Sequence, residues 1–257
     1  MTLYERDNWL DTRVEKLVNK QIIEYDLKSA NTSLCREYGL LPKDKIDKID
    51  ALPKEKRTKR IGVMMRDDKV FKDALVLAFK DIRRRFFEEN NLSDEDVLAI
   101  KKDAIFVKGE VPITDFGDCH FIPKNEYTSY LYLNRFELYY SERFGESRLD
   151  VKGMNDEDLK KHEDYMLFFI RKFFHVLQAD TWKGSYQYLY RFISKYKKRE
   201  LEVGFYREFS HENVFKMIDE EETYDDEIFI PYEDKSEHVD ISYNYFNILM
   251  PLVKMLI

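Results

Sequence analysis

The apolar positions of this chain change period several times, and each change predicts an element. Leu3, Leu10, Val14, Leu17 and Val18 fall at helical spacing, which predicts an amphipathic helix over residues 3–20. Residues 21–26 then read as a strand, with β-branched Ile22 and Ile23 ahead of Tyr25 and a lone aspartate, Asp26, at its end. A short helix follows over 29–38, capped by Ser29 or Asn31 and stopped by Gly39 and Pro42. Residues 70–90 carry the strongest stripe, Phe71, Ala74, Leu75, Ala78, Ile82 and Phe86, behind an N-cap at Asp67 or Asp68. The Arg83-Arg84-Arg85 run near its end complements the helix dipole and needs no functional reason. A second strand is predicted over 99–107, with Asp103 just ahead of Ile105, Phe106 and Val107.

Farther on, Phe121, Tyr127, Tyr130, Tyr132, Phe136, Leu138 and Tyr139 alternate as a hairpin or meander requires over 111–140. Residues 158–199 return to helical period as two helices, with Trp182-Lys183-Gly184-Ser185 as the corner between them. The predicted fold class is therefore α+β, an antiparallel sheet packed on helices and followed by a helical segment. Three regions are expected: an α+β core over 1–157 with a short basic insertion at 43–60, a helical segment over 158–218, and an acidic stretch with an apolar tail over 219–257. That insertion holds eight Lys and Arg residues and reads either as a solvated excursion or as a phosphate-contacting element.

Composition narrows the classes. A chain of 257 residues, 44% hydrophobic and 36% charged, is long enough for a sizeable core and has the character of an intracellular protein. Cys35 and Cys119 lack partners at ligand spacing, so neither a structural disulfide nor a thiolate zinc site is expected. The five histidines show no zinc spacing either, and His175 reads as a packed core residue. The N-terminus is charged from the start and has no signal-peptide core. The apolar tail over 241–257 is interrupted by Asn244, Asn247, Pro251 and Lys254, which predicts a core-packing or partner-docking element and no membrane anchor. Eleven acidic residues and one lysine crowd into 219–240, so the net charge of −7 leaves the rest of the chain slightly basic.

Two carboxylates on neighbouring strands, with an amphipathic helix between them in sequence, fit metal-dependent phosphoryl transfer. Such sites hold two divalent cations about 3.5–4 Å apart, and hard cations of this kind take carboxylate and carbonyl oxygens. At Asp26-Leu27-Lys28-Ser29-Ala30-Asn31-Thr32-Ser33-Leu34 the chain resembles motif A of family B DNA polymerases, where Asp-x-x-Ser-Leu-Tyr-Pro-Ser is the pattern. Asp26, Ser29 and Ser33 match in register. Asp103-Ala104-Ile105-Phe106-Val107 resembles the end of motif C, Asp-Thr-Asp-Ser-Ile-Phe-Val, with Asp103 at the second aspartate. The segments 124–127 and 151–154 are similar to the family's Lys-rich tyrosine strand and Lys-Gly segment. The resemblance spans about residues 20 to 200 and departs from the family in three places. Asn31 stands where the family has the tyrosine that excludes a ribose 2′-hydroxyl, Lys101 replaces the first aspartate of motif C, and the fingers are reduced to about thirty-five residues.

The resemblance implies a palm-like core, a thumb-like segment after residue 158, and a minimal DNA polymerase from a virus or mobile element, acting in the host cytoplasm. Asp26, Asp103 and the Leu27 carbonyl would then hold Mg²⁺ or Mn²⁺. Leu27, Ser29, Asn31, Lys56, Lys59 and Arg60 would meet the nucleoside triphosphate. Lys124, Lys152, Lys197 and Lys198 would hold the DNA primer-template. The missing parts could sit on another chain. The alternative is a palm-like subunit without activity, docking a protein partner through 219–240 and the apolar tail. A two-metal nuclease, with Asp118 as a further ligand, is the third reading.

Overall fold

The computed structural model describes residues 2–133, 136–154, 156–179, 182–206 and 244–256. The acidic stretch 219–240, to which partner docking is assigned from sequence, lies outside the described residues. The protein is α+β and its strand pairings are antiparallel. It divides into two compact units, Met1–Asp11 with Gln21–Glu126, and Thr12–Lys20 with Tyr127–Ile257. The regions expected from sequence place the strands of 127–152 with the first unit instead.

In the first unit the strand order is β1 (Asn8–Leu10), β3 (Val97–Lys101), β4 (Ala104–Val107), β2 (Lys16–Leu27) and β6 (Cys119–Leu133), with β5 (Asp115–Phe116) paired to β6. The helix expected over 3–20 does not form. A 3-10 turn, Leu3–Glu5, leads to β1, and β2 has already begun at Lys16. The apolar spacing misleads because Leu3 belongs to the 3-10 turn, Leu10 to β1, and Leu17 and Val18 to β2, so the residues of the stripe sit on three separate elements.

Ile23, Tyr25, Ile100, Ile105, Val107 and Phe121 turn to one side of this sheet and pack with α4 (Lys69–Glu89). From α4 they receive Phe71, Leu75, Ala78, Ile82 and Phe86, the predicted stripe apart from Ala74. Phe86 is fully buried with ring centroids 4.5 Å from Phe121 and 5.7 Å from Tyr25. Cutting it to alanine should cost about 3–5 kcal/mol. The Asp68 carboxylate caps the helix, accepting from the Phe71 N–H at 3.0 Å. The arginine run is not a dipole device. Arg83 is buried, Arg84 pairs with Asp81 and Glu88, and Arg85 pairs with Glu37.

The basic insertion is two helices, each opening directly after a proline: α2 (Lys43–Asp50) after Pro42 and α3 (Lys54–Asp67) after Pro53. They follow α1 (Ala30–Glu37). The single strand predicted over 99–107 is a hairpin, with Lys101 paired to Ala104 and Lys102-Asp103 as its two-residue turn. Cys35 and Cys119 are buried and free, and burial pushes the thiols up to about 11 and about 12.

In the second unit β6 continues into a meander with β7 (Phe136–Arg143) and β8 (Glu146–Lys152). The helices α5 (Asp156–His162), α6 (Phe168–Ala179), α7 (Trp182–Lys197) and α8 (Met250–Leu256) complete it. Leu131, Leu138, Phe173, Phe174 and Leu189 share its core, and the Tyr140 ring stacks on Phe174 at 4.8 Å. Trp182 to Ser185 form the first turn of α7 and are not an interhelical corner. In the tail, Ile248, Leu249, Leu252 and Met255 pack into this same core. His175 is exposed and bonded to Glu142 at 3.0 Å; among the described residues the buried histidine is His162. Among the described residues no helix is long and apolar enough to cross a membrane.

Candidate functional site

Alternation along β2 separates two jobs. Tyr25 and Leu27 enter the core, so Asp26 between them faces the other way. In the pairing of β2 with β4, Asp26 stands opposite Ala104, and the Leu27 N–H donates to the Asp103 carbonyl at 3.1 Å. This ties the end of β2 to the turn that carries Asp103. The chain then leaves β2 through Ser29, left-handed at φ 50°, and enters α1. Ser33 donates to the Lys28 carbonyl at 2.7 Å and holds this corner, which makes it a structural residue.

Asp26 and Asp103 line one open cleft of about 250 Å³. The floor and corner add Leu27, Lys28, Ser29, Ala30, Asn31 and Thr32, while Lys54, Arg57, Thr58 and Ile61 come from α3 and Ile122 from β6. Carboxylates and cations thus share a single opening. Of the residues assigned from sequence, Asp26, Leu27, Ser29, Asn31 and Asp103 come together here.

Lys56, Lys59 and Arg60 do not line this cleft; they are exposed on α3. The reason is helical period. Ile61 is 1% exposed and fixes the inward side of α3, and residues three, four and seven positions before it share that side. Those residues are Thr58, Arg57 and Lys54. Ile61 is the first apolar residue of the helix, and this signal was present in the sequence.

Arg57 is held in place by two partners. Its Nη1 donates to the Ser29 hydroxyl at 3.3 Å and lies 3.5 Å from Asp50 Oδ1. Lys124, on β6, reaches toward the acidic side, with its ammonium 3.7 Å from Asp26 Oδ2 and 3.9 Å from Glu24 Oε1. Burial pushes the Asp26 carboxyl above its ordinary value; Asp103 and Glu24 push it the same way, while Lys124 and Lys54 oppose them. Burial is the leading cause of the rise, and Lys124 is the strongest of the charges acting on Asp26.

Among the described residues no group of three or more His, Cys, Asp or Glu is placed to hold a metal ion. Asp118 does not line the cleft, and its backbone N–H donates to Glu37 at 2.7 Å. The donors present are two carboxylates beside the Leu27 backbone. They are hard oxygens of the kind Mg²⁺ or Mn²⁺ takes. Lys152 ends β8, Lys197 ends α7 and Lys198 follows it in a turn, all three in the second unit. The Lys197 ammonium sits 4.9 Å from the Tyr245 ring centroid.

Fold and cleft define an α+β protein in which a carboxylate pair and two helix-borne cations face one opening. The chain belongs to the bacteriophage PBS1 gene 130 protein family, whose model matches residues 1–257. That family description names a phage and no activity. No curated protein matches the chain.

Proposed function

We propose that this protein is a minimal nucleotidyltransferase of the DNA polymerase type, acting on a primer-template and a nucleoside triphosphate. The observation that carries the proposal is the convergence of Asp26 and Asp103 with Lys54 and Arg57 on one cleft. Lys54 and Arg57 supply the positive charge that a triphosphate requires, and the Arg57 fork is restrained by Ser29 and Asp50 before any ligand arrives. Asp26, Asp103 and the Leu27 carbonyl would hold Mg²⁺ or Mn²⁺. When bound, the ions would activate the attacking hydroxyl and neutralise the leaving pyrophosphate. Asn31, on the first turn of α1, would face the sugar side of the nucleotide. Catalysis would rest on positioning and charge neutralisation, as in phosphoryl transfer generally.

Primer extension with Mg²⁺ or Mn²⁺ tests the reading. Asp26→Ala and Asp103→Ala should abolish turnover while leaving the circular dichroism spectrum intact. Extension by both variants at the wild-type rate ends the assignment.

A second reading is a palm-like subunit without activity. It is favoured by Lys124, whose ammonium lies beside Asp26 where a cation would otherwise be needed. Calorimetry with Mg²⁺-nucleotide separates the two. No binding, together with stoichiometric copurification of another polypeptide, supports the inactive subunit.

A further inference from the structure

Helix α7 presents an exposed face that neither the core nor the cleft uses. Trp182, Tyr186 and Tyr190 recur every four residues and are 66%, 38% and 63% exposed. The Trp182 and Tyr186 ring centroids are 6.3 Å apart, and Tyr186 stands 6.3 Å from Tyr190 with the two planes 18° apart. Ser185, Leu189 and Tyr196 are the buried residues of the helix, and the aromatic ladder runs along the exposed flank beside them. Exposed rings in a row are unusual, because burying each one would be favourable.

The same helix is strongly basic. From Trp182 to Lys197 it contains no aspartate or glutamate, and Lys183 and Arg191 are exposed on it. In a chain of net charge −7 this is a local reversal of sign. Aromatic faces interleaved with cations match a polyanion whose repeating units have flat apolar faces. The 6.3 Å repeat is wider than the base step of about 3.4 Å along a duplex strand, so it fits a strand whose bases are unstacked. Duplex bases are stacked inward and cannot present their faces to a ladder of this kind.

We propose that the exposed face of α7 is a docking site for single-stranded nucleic acid. Bases stack on Trp182, Tyr186 and Tyr190, and Lys183 and Arg191 meet the backbone phosphates. The site belongs to the second unit and does not depend on the chemistry assigned to the cleft.

Fluorescence anisotropy with a labelled oligo-dT of about 20 nucleotides, against a duplex of equal length, tests this. Wild-type protein should bind the single strand in preference to the duplex. Tyr186→Ala and Tyr190→Ala should each weaken binding roughly tenfold, whereas the Phe variants, which keep the ring, should bind as wild type. Lys183→Gln and Arg191→Gln should each lower the salt slope by about 0.7. Because these side chains are exposed, circular dichroism should be unchanged. Alanine variants that bind as tightly as wild type would overturn the proposal. So would equal affinity for duplex, or capture of zwitterionic lipid vesicles with no affinity for the oligonucleotide. The Asp26→Asn, Asp103→Asn double variant should still bind the oligonucleotide, so a failed cleft assignment and a failed docking site are read separately.

Discussion

Arg83 Nη1 donates to the carbonyl oxygen of Lys102 at 3.0 Å, one residue before Asp103. The same guanidinium donates from Nε to the Tyr4 carbonyl and from Nη2 to Asp7 Oδ1, each at 2.8 Å. One buried fork on α4 therefore fastens the hairpin turn of β3 and β4 and the N-terminal segment. Arg83→Met keeps much of the packing and leaves two carbonyls without this donor. It should destabilise the protein by about 3 kcal/mol in urea unfolding. Arg83→Lys should recover only part of that, because an ammonium does not reproduce the planar fork. A loss within experimental error for Arg83→Met would mean that the turn is held by other contacts.

The Asp26 carboxyl makes stability depend on pH. Burial raises this carboxyl above the ordinary value; Lys124 opposes the rise, and Asp103 and Glu24 add to it. In the window from its ordinary value of 3.8 up to the raised one, the folded state binds more protons than the unfolded state. Stability therefore falls as pH rises through that window and stays lower above it. Asp26→Asn removes this term. In paired melts the variant should gain on wild type between pH 4 and pH 7, while nucleotide transfer is lost. A constant difference in melting temperature across that range would contradict the electrostatic account.

The inward side of α3 makes a prediction about neighbouring residues of similar charge. Arg57→Ala should weaken Mg²⁺-nucleotide binding roughly tenfold or more, the scale of a lost charge-assisted hydrogen bond. Lys56→Ala and Lys59→Ala should change it less than about twofold, as expected for screened surface cations. Isothermal titration of the three variants decides it. Equal losses would mean that the helix acts only through its net charge.

Glu37 joins α1 to α4 and to the β5–β6 turn. It pairs with Arg85 Nη1 at 2.8 Å and accepts from the Asp118 N–H at 2.7 Å. Burial pushes the Glu37 carboxyl up, but those two partners outweigh it and hold the group below its ordinary value. This contribution is present above that ordinary value and lost as pH falls through the lowered one. Glu37→Gln should therefore flatten the acid limb of the stability profile. Beside it, Gly117 is left-handed at φ 67°, and a Cβ there would land on the Glu37 carboxylate. Gly117→Ala should cost about 1–3 kcal/mol, and in the Glu37→Gln background the acid limb should stay flat.

Much of this was legible in the amino-acid order, and the misses share a cause. The α4 stripe could be read because Phe71 to Phe86 keep one period over several turns and Asp68 caps them. Asp26 and Asp103 could be paired because each adjoins a short apolar run that forms a strand. The helix expected over 3–20 failed because its apolar residues are shared among a 3-10 turn and two strands, and spacing alone does not show those breaks. Arg83 was misread because local reasoning offered a sufficient explanation, the helix dipole, while its partners Tyr4, Asp7 and Lys102 are distant in sequence. Lys54 and Arg57 were passed over because charge was counted without asking which way Ile61 turned the helix. His175 was misplaced in the core for the same reason: periodicity assigns a face, and only packing says what covers it.

The chain crosses between its two units at three points, after Asp11, after Lys20 and after Glu126, so neither unit is encoded as one uninterrupted stretch. Genetic exchange at a single crossover cannot transfer either unit whole without part of the other. Any join upstream of codon 127 that leaves Thr12–Lys20 behind would bring in a second unit lacking its own first strand segment. Family members that recombine should therefore inherit both units together, and their cleft and aromatic helix should diverge as a linked pair.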